Sequence, residues 1–503
     1  MNNALLLKSL LVLPFVAAVI VYLAGRISLR KEKDWGFSVA RALTVFVLLV
    51  EGCLLFFGVR MALQSGGLYL DVGEITLMLD GIGLLLIAVV LFLGLMVALF
   101  SVDYMAGEKG EEKYYALLLA TIGSVIGLGM SFDLFNLWVW FEAMAVSTYL
   151  LVAFYNDQPP SLEAGIKYLA QSAVGSALVL FGIAFIFSQT GSTDFVDIWQ
   201  GATQNPKVML ISGILLIVGF GVKAALVPLH TWLPDAHSQA PSGISAMLSG
   251  VVIEAGLLAM LRSMSFFGRV EFNWGATLLV FGCLNILIGN LLALRQTEIK
   301  RLLAYSSLAH VGYMLVGFGM GFWYGQANGA GGGFFHLITH SLMKGLAFLA
   351  AGALLYALHL QNDEHVPLTL SDLNGASRKY PLAAFALSVA LLALGGLPPL
   401  AGFMSKWQIL AAVASAKNTL MILVVIFVGL NSVLSLGYYA PIVNRLYRRE
   451  TSPAVENGKP IPVMMVIPLV ILVLALVVIG LWPASMDFFT EKATSSLLFP
   501  FFY

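Results

Sequence analysis

GFGVKAALVPLHTWLPDAHSQAP, residues 219–241, decides what kind of protein this is. It starts as an apolar, membrane-length segment, yet Lys223 lies inside it and Pro228 follows five residues later. Proline lacks a backbone donor and clashes with the preceding turn, so a regular helix does not run through it undisturbed. His230, Trp232, Asp235 and His237 come next. An amine beside a helix break at membrane depth is costly and usually marks an ion pathway. The plainer alternative is a lysine that snorkels to the interface.

The rest of the chain supplies the membrane. Of 503 residues, 59% are hydrophobic and only 11% charged, and the mean hydropathy is +0.91. Soluble domains carry about 25% charged residues, so the chain reads as a polytopic membrane protein. The first apolar run is long enough to cross and stay, so no cleaved signal peptide is expected. Its 27 cations balance its 27 anions, which gives no reason to expect a nucleic acid partner. Cys53 and Cys283 lie far apart in apolar runs, and an iron–sulfur cluster takes four ligands. Gly317, Gly319 and Gly321 follow an apolar segment rather than a strand, so they read as helix-packing or turn glycines, not a phosphate cradle. Neither a cofactor nor a metal is expected.

Fourteen apolar runs of membrane length recur, at about 4–24, 36–60, 81–102, 114–131, 133–155, 165–189, 208–229, 242–263, 273–294, 302–323, 333–358, 380–415 with a break, 418–442 and 463–483. They are numbered spans 1 to 14. Residues 68–79 alternate about Gly73 and predict a short hairpin or loop, and 194–199 predict a surface helical turn. No soluble domain is expected. Sixteen lysines and arginines, Lys31 and Lys33 among them, lie in loops after odd-numbered spans, against six on the other side. Positive loops stay inside, so the odd loops are expected to face the cytoplasm, with both termini outside. Lys8 and Arg41 lie near span ends, where they can snorkel.

Span 7 carries Lys223 and then a proline. Span 12 carries Gly395, Gly396, Pro398 and Pro399, then Lys406. Five spans separate the two breaks, so the broken segments run in opposite directions, as in inverted repeats whose broken helices mark an ion site. Two unrelated proline kinks are the alternative. The expected architecture is an all-α membrane protein of about 14 helices with two inverted five-helix repeats. Residues 1–113 hold spans 1 to 3, 114–263 the first repeat, 264–446 the second, and 447–503 span 14 and the tail.

Eight ionisable groups lie at depth on six of these spans: Glu142, Lys223, Glu254, His310, His336, His340, Lys344 and Lys406. Glu51 lies inside span 2 as well. A buried lysine loses proton affinity and a nearby carboxylate restores it, so Glu142 and Lys223 are expected to form a pair. His336, His340 and Lys344 recur every four residues on one face of span 11, stepping about 6 Å per pair. Histidine takes up and releases protons near neutral pH. A lone helix histidine is more often structural, but two histidines and a lysine on one stripe point to a hydrophilic axis. No clustered carboxylates or cysteines accompany them to suggest a metal. Glu254, buried, is expected to be protonated or paired with a basic group such as Lys223.

LFNLWVWFEAMAVSTYLL (134–151), KAALVPLHTWLPDAHSQAPSGISAMLSG (223–250), QTEIKRLLAYSSLAHVGYM (296–314), HLITHSLMKGLAFL (336–349) and GGLPPLAGFMSKWQIL (395–410) resemble the antiporter-like subunits of respiratory complex I. The same family includes the large subunits of Mrp sodium/proton antiporters and of membrane-bound hydrogenases. The resemblance spans most of the chain, from span 3 to span 13. It implies that Glu142 and Lys223 belong to an input half-channel, that His310, His336, His340 and Lys344 form the central axis, and that Lys406 ends the relay toward the outside. One complex I paralogue has glutamate at that last place, which argues against that paralogue. The family usually has lysine where this chain has Glu254, so the usual bridging step is in question. The largest paralogue's long lateral helix is not expected, since about twenty residues follow span 14.

The function these readings favour is translocation of protons, with sodium left open, across the cell membrane. The chain would be one subunit of a multi-subunit complex and carry no redox centre of its own. Rivals are a quinone- or haem-binding subunit of a redox enzyme and a free-standing ion-coupled metabolite transporter. No histidines are expected to face each other across helices as haem ligands would.

Overall fold

The computed structural model describes residues 3–30, 35–65, 68–73, 75–360 and 366–498. Lys31 and Lys33 of the charge count, and residues 361–365 of the loop after span 11, lie outside the described residues. Among the described residues, thirteen helices are long and apolar enough to cross a membrane. They correspond in order to spans 1–11, 13 and 14. Span 12 is two 15-residue helices, Pro381–Gly395 and Ala401–Ser415. The fold is therefore an all-α membrane fold.

Helix starts follow the local chemistry. Asp80, Asp133, Asn205, Asn273 and Asn418 each stand before a span and accept a free backbone N–H of its first turn, as short polar side chains do at such positions. The expected hairpin forms: strands β1 (Leu68–Val72) and β2 (Ile75–Leu79) pair antiparallel, with Leu68 opposite Leu79. The expected surface turn is helix Phe195–Gly201, capped by Asp194.

Burial sorts the bundle. The apolar window of span 8 (Ser242–Ser265) is 100% buried, and those of spans 10 and 11 are 94% buried, against 22% for span 13. Spans 8, 10 and 11 are therefore the interior, where most of the ionisable side chains sit. Small residues bring helices into contact there, as expected between membrane helices. A Cβ on Gly282 of span 9 would stand 2.9 Å from the Gly312 carbonyl of span 10, and one on Gly312 2.6 Å from the Gly282 carbonyl. Gly317 and Gly319 lie inside span 10 and pack on spans 11 and 9.

Both breaks end their first half-helix in the same way. In span 7 the helix stops at Lys223, five residues before Pro228, rather than at the proline. Ala225 takes a left-handed φ of 55°, its N–H bonds the Val222 carbonyl, and the Leu226 N–H bonds the Gly221 carbonyl. In span 12 Gly396 has φ 81°, its N–H bonds Ala393 O, and the Leu397 N–H bonds Leu392 O. This pair of bonds closed by a left-handed residue is the Schellman ending. Backbone freed at membrane depth needs a partner. Asn285 of span 9 supplies it in span 7, accepting from Val227 N at 2.9 Å and donating to Ala225 O at 3.2 Å.

Loops after spans 3, 5, 9, 11 and 13 make contacts at one end of the bundle, called here the basic end. Glu298 pairs with Thr369, Arg445 with Asn374, and Lys109 with Asp157. Arg41, which lies near a span end, pairs with Glu111 through two bonds of 2.5 and 2.8 Å.

Candidate ion pathway

The second half of span 7 is short helix Trp232–Gln239, anchored from outside. Asp235 bonds Lys167 at 2.9 Å and Arg301 at 2.6 Å. Trp232 stacks on Tyr168 of span 6 with ring centroids 4.0 Å apart, and its indole donates to the Val222 carbonyl at 2.8 Å. These contacts fix the end of the half-helix that carries Lys223. The Lys223 ammonium is buried. It donates to the Tyr168 hydroxyl at 2.7 Å and to Ser172 at 3.2 Å, and lies 4.3 Å above the Tyr168 ring. The snorkelling alternative does not describe it.

The expected contact between Glu142 and Lys223 is not made. No ion pair joins them within 4.0 Å among the described residues, and Glu142 Oε1 is buried without a hydrogen-bond partner. Phe141, the neighbour of Glu142, instead presents its ring 5.8 Å from the ammonium. Tyr168 and Ser172 are instead the hydrogen-bond partners of the ammonium.

Glu254 is paired with a basic group, but that group is His340 rather than the suggested Lys223. Its Oε1 shares a hydrogen bond of 2.7 Å with His340 Nδ1, not with Lys223, and both side chains are fully buried. A π-helical turn, Leu248–Val252, runs directly into the helix that begins at Ile253. Such turns re-aim the residues after them and are frequent at functional positions. Gly256, half a turn on, packs against Lys223, so spans 7 and 8 touch at that lysine while Glu254 faces span 11.

From His340 the polar side chains continue without a gap. Its ring lies 5.2 Å, centroid to centroid, from that of His310. His310 Nδ1 and His336 Nε2 share a hydrogen bond of 3.0 Å, and His336 Nδ1 and Ser405 Oγ another of 2.8 Å. Three histidines thus face one another across spans 10 and 11. His310 and His336 bond each other, His336 also bonds Ser405, and His340 bonds Glu254 through Nδ1 while its Nε2 has no partner. Among the described residues no group of three or more His, Cys, Asp or Glu side chains is arranged to hold a metal.

Lys406, next to Ser405, donates to the Leu394 carbonyl at 2.8 Å and to Ser432 at 3.0 Å, above the Tyr313 ring at 4.7 Å. It therefore caps the carbonyl end of the first half-helix of span 12. Lys223 is the last residue of the first half-helix of span 7. Both amines sit at the negative end of a helix dipole, which favours a cation there. Lys344, also fully buried, bonds the Leu303 carbonyl at 2.8 Å and the Ser306 hydroxyl.

Seven of the eight expected groups are thus tied into polar contacts, and Glu142 is close enough for its charge to act on Lys223 without an ion pair within 4.0 Å. The sequence did not single out Tyr168, Ser172, Asn285, Ser306 or Ser405. Hydroxyls and amides are common in membrane helices, and only partner geometry distinguishes these. Ser405 had one signal, its place beside Lys406.

The chain is similar to known proteins along most of its length. Residues 131–435 match the family described as "NADH:quinone oxidoreductase/Mrp antiporter, TM". Residues 66–115 match the one described as "NADH-Ubiquinone oxidoreductase (complex I), chain 5 N-terminus". The chain is 33% identical to the F(420)H(2) dehydrogenase subunit N of Methanosarcina mazei, over 85% of this chain and 86% of that one. It is also 33% identical to the NADH-quinone oxidoreductase subunit N of Deinococcus radiodurans, over 80% of each. Among solved structures it resembles a chain of the membrane-bound sulfane sulfur reductase, an archaeal respiratory membrane complex, with TM-score 0.87 and 28% identity over 98% of this chain and 97% of that one. With well over half of its length matched and the buried Lys–Glu–His axis in place, the chain belongs to the NADH:quinone oxidoreductase/Mrp antiporter transmembrane family.

Proposed function

We propose that this chain moves protons across the plasma membrane as one antiporter-like subunit of a larger respiratory or antiporter complex. The observation that carries this is the buried series Glu254, His340, His310, His336 and Ser405, linked by hydrogen bonds or ring stacking, with Lys406 the next residue in the chain after Ser405. Each member accepts or donates a proton, and imidazole does both in turn. Most of these groups are nitrogen bases. Hard cations such as sodium take oxygen ligands, so protons are favoured as the transported ion. Partner membrane subunits follow from the relatives, which are named as subunits of F(420)H(2) dehydrogenase and NADH-quinone oxidoreductase.

In this proposal residues 114–263 and 264–446 are two inverted units, supported by the matching Schellman endings, and 1–113 and 447–503 flank them. The basic end faces the cytoplasm and both termini face outside, supported by the excess of loop lysine and arginine. Lys223, with Glu142 nearby on span 5, belongs to the input side. Lys344 adjoins the central series, and Lys406 hands protons outward.

The test is proton flux by the purified parent complex in sealed vesicles containing a pH-sensitive dye. Flux that follows complex turnover and collapses with a protonophore is expected. A fully assembled, active complex without it, or with flux that depends on sodium alone, would reject the proposal.

A further inference from the structure

His237 is absent from the series above, yet it is fully buried and neither of its ring nitrogens has a hydrogen-bond partner. It lies on the second half-helix of span 7 and stacks flat on Phe348 of span 11, centroids 4.7 Å apart. Phe348 continues the stripe His336, His340, Lys344 by four more residues. One such step rises about 6 Å, so His237 lies one turn from Lys344 toward the basic end. The charged groups that act on its ring are Lys300 and Lys344.

A cavity of about 200 Å³ opens just beyond it at the basic end. The rim includes exposed Pro160 and Val366. The floor is formed by Ser238, Gln239, Ala240 and Lys300. Lys300, itself 5% exposed, donates to the carbonyls of Ala240 and Ser238. It thereby pins the carbonyl end of the half-helix on which His237 sits. His237 directly precedes Ser238 of that floor in the chain and is itself fully buried. A buried imidazole with both nitrogens free, between a polar cavity and a buried lysine, is costly unless water reaches it.

We propose that His237 is a second proton intake, which passes protons from the Lys300 cavity to Lys344 without using Lys223. This rests on the proton-translocation reading above. Cavity water delivers a proton to the unprotonated ring nitrogen, giving imidazolium. The proton on the other nitrogen then leaves for the neutral amine of Lys344, and the ring returns to its neutral form as the opposite tautomer. One proton enters and one leaves.

The test uses the assembled parent complex in dye-loaded vesicles, with His237→Ala and His237→Gln. Both variants are expected to assemble and to lose at least tenfold in proton flux. Imidazole added on the cytoplasmic side of the His237→Ala complex should restore a third or more of the wild-type flux. A structural ring would not be replaced in this way. Flux within twofold of wild type in either assembled variant, or no imidazole rescue, would overturn the proposal. If only His237→Gln assembles, its flux alone decides by the same threshold. Absence of flux in the wild-type complex would reject the transport reading instead, so the two failures are distinct.

Discussion

Glu254 and His340 share a single hydrogen bond of 2.7 Å between spans 8 and 11, with both side chains wholly buried. Glu254 Oε2 and His340 Nε2 have no partner. One proton therefore serves two titratable groups, and each keeps a free atom through which a further proton can pass.

Glu254→Gln keeps an amide able to bond His340 but removes the titratable proton. Proton flux should fall at least tenfold, with melting of the solubilised complex nearly unchanged. Glu254→Ala leaves both His340 nitrogens unsatisfied and should cost about 1–3 kcal/mol, the desolvation penalty of an unpaired buried group. Wild-type flux in the glutamine variant would place Glu254 outside the relay.

Lys406 both caps the Leu394 carbonyl and ends the proposed relay, and two substitutions separate the roles. Arginine can keep the cap but does not give up its proton. Lys406→Arg and Lys406→Ala should therefore both assemble and both lose most proton flux in vesicles. Only the alanine variant, lacking the cap, should melt noticeably earlier. Normal pumping by an assembled arginine variant would contradict a relay role.

Lys223 is bonded to Tyr168, not to Glu142. Tyr168→Phe should cost about 1 kcal/mol for a lost hydrogen bond and slow transport several-fold. Glu142→Gln and Lys223→Ala should each remove most transport, and the double variant should be no slower than either alone. In stability the two should add to within about 0.5 kcal/mol, as residues without direct contact do. A larger stability coupling, measured by a double-mutant melting cycle, would show the resting pair in contact after all.

Gly396 and Ala225 occupy the same position in the two breaks but tolerate change differently. At Gly396 a Cβ would lie 3.1 Å from Lys406 Cδ. Gly396→Ala should therefore cost about 1–2 kcal/mol for the left-handed backbone and push Lys406 off Leu394, lowering flux. Ala225→Gly relieves a similar strain but loosens the unfolded chain by about 0.5–1 kcal/mol. Its melting should shift little. Comparing the two melting temperatures and fluxes checks this.

The sequence alone settled what depends on composition and spacing. Apolar runs of membrane length placed the helices, because a bilayer requires about twenty such residues per crossing. A lysine followed by proline in span 7, and glycines and prolines followed by lysine in span 12, located the two breaks. Four-residue spacing put His336, His340 and Lys344 on one face, because helix geometry is local. Only tertiary structure decided who meets whom. Glu254 turned to His340 because span 8 carries a π-turn and packs Gly256 on Lys223. Lys223 turned to Tyr168 because Trp232 and Asp235 fix the second half-helix against spans 6 and 10. His310 joined the stripe because small residues let span 10 pack closely among its neighbours. These choices depend on contacts between residues 26 to 86 positions apart, which periodicity within one helix does not encode.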